Sequence, residues 1–153
     1  MNGKVRFALA VLLVLMVGAV TVSSASAAEI IVQNTLDNKV NMAFLYYDRS
    51  SGLWTTRGWQ GVEGNSSRTI KYDNVDSSKG IYYVAMRGKT IYLDKSTLNN
   101  NTVRRWIRDE AFSFDFTGKP NSGTNMEIVN FYKSRYSEGA GAFVIRIDTR
   151  PVG

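Results

Sequence analysis

Trp54 and Trp59 bracket Arg57 and Gly58 in the run Trp-Thr-Thr-Arg-Gly-Trp, and Tyr46 and Tyr47 precede it closely. An indole ring can stack on the C–H face of a sugar or against a cation. Together these residue types suit binding rather than bond-breaking. In a regular strand side chains alternate, so Trp54, Thr56 and Gly58 share one face and Thr55, Arg57 and Trp59 the other. The two rings then point opposite ways unless Gly58 introduces a bulge. Large aromatics dominate the cores of small domains, so the stretch reads as a structural strand first. One face, Trp59 with Arg57, is left for a ligand, and Gly58 permits close approach there. The candidate ligand-binding residues are Trp54, Arg57, Trp59, Tyr46 and Tyr47. The structural alternative is a cation–π contact between Arg57 and Trp59.

Other chemistries find little support. The chain has no histidine and no cysteine. That excludes a Ser-His-Asp triad, a Cys-His pair, thiol chemistry and imidazole or thiolate metal sites. No cofactor or metal is expected. Asp73, Asn74, Asp76 and Ser77 form an oxygen-rich stretch without the spacing of a calcium loop. Asp109 and Glu110 are adjacent, whereas a glycosidase needs opposed carboxyls, so they read as a solvated turn. Lys95-Ser96 and Lys133-Ser134 lack a supporting Ser-x-x-Lys motif. Asn65-Ser66-Ser67 and Asn100-Asn101-Thr102 match the glycosylation acceptor pattern, which is common by chance. The reading is a non-enzyme.

The N-terminus must be set aside before the fold is considered. Lys4 and Arg6 precede an uncharged, mostly apolar run from Phe7 to Val22, and small residues follow from Ser23 to Ala28. This is the layout of a secretory signal peptide, cleaved after Ala27 or after Ala28. The apolar run is short for a membrane span of about 20 residues, so no transmembrane segment is expected after cleavage. Taking residues 1–27 as the leader leaves a single domain over 28–153. The leader carries two of the 19 basic residues and none of the 13 acidic ones, so the mature net charge is +4. The charges are scattered, unlike the basic stripe of a nucleic-acid binder, and export argues the same way. A weak attraction to anionic surfaces is what the balance supports.

The elements that would position the candidate residues are short strands. Glu29 to Leu36 and Val40 to Asp48 read as a first pair, joined as a hairpin. The Trp54 stretch is the third strand and Arg68 to Tyr72 the fourth. Ile81 to Met86 and Thr90 to Leu93 form a hairpin about Arg87-Gly88-Lys89. Asp94 to Thr102 is a loop with one short helical turn started by Ser96 or Thr97. Val103, Trp106 and Ile107 fall at helical spacing, which predicts a short helix from Val103 to Arg108. Ala111 to Phe116, Asn125 to Tyr136 and Ala142 to Ile147 complete the strands. The expected fold is all-β, with at most this one short helix. It is an antiparallel β-sandwich or partly open barrel of seven to eight short strands.

The Trp54–Trp59 motif, with Val62-Glu63-Gly64 and Arg68-Thr69-Ile70, resembles the central motif of the bacterial family called domain of unknown function 1036. Val32-Gln33-Asn34-Thr35 resembles that family's opening strand, Tyr82-Tyr83-Val84-Ala85 its "tyrosine-tyrosine-valine" strand, and Phe131-Tyr132 with Gly139 to Ile145 its closing strands. Gln33 and Ser66 or Ser67 stand where the family carries cysteines. The resemblance implies a small, often exported β domain with no established activity. The expected function is thus an exported, periplasmic or secreted, non-catalytic β domain of the bacterial envelope. Its partner is a protein, an envelope glycan or a small ligand. One alternative is a protein held at the membrane or envelope surface by anionic lipid; another is a hydrolase using carboxylates alone.

Overall fold

The computed structural model describes residues 27–115 and 125–150, so all of the expected leader but Ala27 lies outside the described residues, as do Phe116 and the loop after it. The chain is nearly all β. In order, the strands are β1 (Ala28–Asn34), β2 (Val40–Asp48), β3 (Leu53–Val62), β4 (Ser66–Tyr72), β5 (Tyr82–Arg87), β6 (Thr90–Tyr92), β7 (Thr102–Arg108), β8 (Phe112–Phe114), β9 (Met126–Lys133), β10 (Arg135–Ser137) and β11 (Ala142–Ile147). They form a four-stranded sheet, β10-β11-β1-β4, and a seven-stranded sheet, β7-β9-β5-β2-β3-β8, in which β6 pairs with β5. The larger sheet is antiparallel and curls into a half-barrel. In the smaller sheet β1 and β11 run parallel.

Burial explains the arrangement. Along β2, Val40, Met42, Phe44 and Tyr46 enter a core shared with the small sheet, where Ile30, Val32, Phe143 and Ile145 meet them. Ala43 and Leu45 enter a second core with Val84, Met86, Ile107, Phe112, Phe114 and Phe131. A strand that buries both faces must lie inside a sheet covered on both sides. β1 fully buries Ile30 and Val32 but leaves Gln33 exposed, which suits a covering sheet. For this reason β1 and β2 do not form the expected hairpin. The chain crosses from one sheet to the other between them, and β1 pairs with β4 and β11 instead.

Two further expectations change. Thr102–Arg108 is a strand, not a helix, because it pairs with β9 along its whole length. That pairing puts Ile107 in the second core and leaves Trp106 across from Ile128. The expected strand from Asn125 to Tyr136 breaks at Ser134, whose backbone N–H and hydroxyl both donate to the Ile81 carbonyl. β9 lies in one sheet and β10 in the other. Such splits raise the strand number above seven or eight. The Arg87–Thr90 hairpin forms as expected, with Gly88 at φ 58°. The short turn after β6 is a 3-10 turn over Lys95–Thr97, capped by Asp94 rather than by Ser96 or Thr97. Among the described residues no helix is long and apolar enough to cross a membrane.

The crossing after β1 is held by Asn34, which is 1 % exposed. Its Nδ2 donates to the carbonyls of Asn38, Val62 and Glu63 at 2.8, 3.1 and 3.1 Å. Its Oδ1 accepts from the Leu36 N–H at 3.1 Å. One amide side chain thereby joins β1, the crossing and the end of β3. Asn34→Ala leaves those buried backbone groups without partners and is expected to cost about 2–4 kcal/mol. Urea unfolding measures it, and a cost below about 0.5 kcal/mol, the level of an ordinary surface change, contradicts this role.

Candidate ligand-binding site

The β2–β3 ladder shifts register beside Gly58. Met42 pairs with Gln60, but Ala43 pairs with Gly58, so Trp59 is the extra residue of a bulge. An inserted residue flips the side chains beyond it to the other face. Trp59 therefore turns to the second core, the side that Trp54 also faces. Gly58 is squeezed between Ala43 and the Phe112 ring, where a Cβ would come within 2.7 Å of the ring. The Trp59 Nε1–H donates to the Arg108 carbonyl at 2.8 Å. Its ring meets Phe112 edge to face at 5.6 Å. These contacts fix the indole, half-buried, at the mouth of the half-barrel.

The five candidate residues are thus divided among three places. Trp59 is at the mouth. Trp54 and Tyr47 pair toward the opposite end of the β2–β3 ladder, edge to face at 5.8 Å, and Trp54 also meets Tyr82 at 6.0 Å. The Lys79 ammonium sits 4.1 Å from the Tyr47 ring centre. Arg57 and Tyr46 are on the other face of β3 and β2. Tyr46 is buried and stacks on Tyr72 at 4.9 Å. The Arg57 guanidinium lies over that same Tyr72 ring, 5.5 Å from its centre. The expected pairing of Arg57 with Trp59 does not occur, since the bulge parts them and Tyr72 supplies the aromatic face.

Trp59 is the common wall of two hollows. One, of about 340 Å³, is lined by Asn41, Trp59, Met86, Gly88, Asp109 and Glu127. Its polar groups are two carboxylates and an amide. Lys89 bridges Glu127 at 3.2 Å from the rim. The other is a groove of about 590 Å³ whose polar side chains are Arg57, Gln60, Lys71, Tyr72 and Ser113. Trp59 and Phe112 give it an apolar wall. The first hollow can accept hydrogen bonds from hydroxyls or amines beneath a fixed indole. The second can donate to anionic oxygens.

Asp109 and Glu110 do form the exposed turn expected of them, between β7 and β8. Glu110 pairs with Arg108 at 3.0 Å, and Asp109 faces the mouth. Asn41, Met86 and Glu127 were not expected there. Glu127 carried one signal: it shares its face of β9 with Val129 and Phe131, and a carboxylate on a core face needs a reason. The oxygen-rich stretch after β4 is a cap. Asp76 accepts from the Ser78 N–H and hydroxyl at 3.2 and 2.5 Å and from Arg49 at 3.3 Å. The Ser78 hydroxyl does most to hold its carboxyl below the usual range. Among the described residues no three acidic groups gather as a metal site.

No protein-family model matches the chain, and comparison with curated proteins and with solved structures returned no match. The likeness of the Trp54–Trp59 motif to domain of unknown function 1036 therefore rests on the residues quoted for it.

Burial pushes the Tyr72 phenol up to about 12, and its hydroxyl sits beside Gln60 without a partner at hydrogen-bonding geometry. Burial also pushes Tyr83 up to about 12, against the hydrogen bond to Thr97. A phenol raised in the fold favours the neutral form. The stability this contributes is complete below the unfolded value near 10 and is lost as pH rises through 12. Tyr72 and Tyr83 are expected to ionise about two pH units late in a phenolate absorbance titration, and burial also raises Tyr46. Each late phenol should take about 2–3 kcal/mol of stability with it between pH 10 and 12. Tyr72→Phe should remove one late step. A titration in which every tyrosine ionises near 10 contradicts this.

Proposed function

We propose that this chain is an exported, non-catalytic binding domain of the bacterial envelope, and that it takes an envelope glycan at the mouth of the half-barrel. The observation that carries this reading is the bulge at Trp59, which holds an indole over a hollow lined by Asn41, Asp109 and Glu127. Sugar recognition uses that combination: an aromatic face for the C–H side of the ring, and carboxylate or amide oxygens for its hydroxyls. The ring is held by Phe112 and the Arg108 carbonyl before any ligand arrives, which lowers the ordering cost of binding. Export is supported by the basic, apolar and small segments of residues 1–28. The motif from Trp54 to Arg68 supports kinship with domain of unknown function 1036, a family without an established activity.

Titration of the mature domain with N-acetylglucosamine oligomers and peptidoglycan fragments should shift its tryptophan fluorescence, with dissociation constants of about 1 mM or tighter. Trp59→Phe should remove the shift. Asp109→Asn should weaken binding about tenfold, the usual scale for one hydrogen bond to a charged group. No shift with any glycan at millimolar concentration overturns the proposal.

A second reading is favoured by one observation: Asp109 and Glu127 line the same hollow, as a carboxylate-only glycosidase requires of its acid and base. Such an enzyme would release new reducing ends from the same oligomers, and Glu127→Gln would stop it. Release by the variant at the wild-type rate, or no release by either protein, removes this reading.

A further inference from the structure

We infer that the groove on the far side of Trp59 is an anion subsite, and that the glycan this domain prefers carries an acidic group read by Arg57. This rests on the glycan reading and specifies its chemistry. Arg57 is exposed, yet it is not loose. Its guanidinium lies over the Tyr72 ring at 5.5 Å, and Tyr72 is itself stacked on buried Tyr46. Among the described residues Arg57 has no carboxylate at ion-pair distance and donates no hydrogen bond. Asp48, whose carboxyl is held low chiefly by the Ser50 hydroxyl, also feels the Arg57 charge but forms no ion pair with it. A planar five-donor group is thus pre-positioned with its donors unused.

The rest of the groove agrees in sign. Arg57, Gln60, Lys71, Tyr72 and Ser113 can all donate, and among the described residues no carboxylate lines the groove. Lys71 is already paired with Glu29 at 2.6 Å, whereas Arg57 has no such partner among the described residues. The hollow on the other side of Trp59 has the opposite character, with Asp109 and Glu127. A glycan long enough to pass Trp59 and enter both hollows would place hydroxyls or an amide toward the carboxylates and an acidic substituent toward Arg57. A carboxylate or a phosphate would meet the same donors, so the shared chemistry is an anionic oxygen group on a sugar ring.

The test compares three probes by calorimetry on the mature domain: N-acetylglucosamine, N-acetylmuramic acid and a phosphorylated N-acetylglucosamine. The wild type should bind at least one acidic sugar about tenfold more tightly than the neutral one, the scale of one charge-assisted contact. The carboxylate and phosphate arms show which source fits. Arg57→Gln should abolish the preference by bringing acidic-sugar affinity down to that for the neutral sugar, and Arg57→Lys should keep part of it. Asp109→Asn should weaken all three sugars and keep the preference. Equal affinities in the wild type, or a preference that survives Arg57→Gln, overturn the subsite while the glycan reading stands. No binding of any sugar overturns both.

Discussion

The contact between the Trp59 Nε1–H and the Arg108 carbonyl joins strands that are distant in the order of the large sheet. β3 lies near one end of that order and β7 at the other, so a bond between them requires the sheet to curl. The hydrogen bond alone contributes about 1 kcal/mol. The indole it carries contributes more, since an aromatic side chain buries about 150–250 Å² and each Å² of apolar area is worth about 25 cal/mol. Packing against Phe112 on the neighbouring strand β8 holds the ring in place, and the hydrogen bond to Arg108 is the contact that reaches across to β7. Neither could happen without the bulge, because an unshifted ladder would send Trp59 to the opposite core.

Burial on both faces of β2 is what lets a chain without cysteine be stable. β2 stands between two cores, one shared with the small sheet and one inside the curl. Two faces of apolar burial on one sheet supply the stability that disulfides give many small domains. The buried polar groups serve this arrangement. Asn34 ties the crossing between sheets, and Ser134 ties the point where β9 gives way to β10. Asp94 caps the Lys95–Thr97 turn while its other oxygen accepts the Arg146 N–H, which anchors that turn to β11.

The fold class was legible because alternation and turn residues report strands one at a time. Which strands pair was less so. The β1–β2 hairpin failed because chain proximity outweighed the more telling fact that β2 is apolar on both faces and β1 is not. The helix at Val103 to Arg108 failed because three apolar residues satisfy a helical period by chance, and only the partner strand β9 decides between the two. The candidate site was half legible. Gly58 marked the place of a bulge, but a ladder's register depends on the facing strand, so the direction of Trp59 was not readable from β3 alone. Glu127 and Asn41 reach the mouth from strands distant in sequence, and no local spacing announces that.

On the proposed binding role, separating Arg57 from Trp59 changes the kind of ligand the molecule would suit. Side by side, the two would have formed a self-satisfied cation–π pair with little left for a partner. With Tyr72 holding the guanidinium and Phe112 holding the indole, each is fixed by a different neighbour and keeps a face toward its own hollow. Carboxylates then stand on one side of the indole and donors on the other. A neutral, featureless surface would exploit neither. An elongated ligand with a polar, hydroxyl-bearing end and an anionic end can satisfy both at once, and reversing it would set its anion against Asp109 and Glu127. Like-charge opposition of that kind is how a small site imposes a single binding direction.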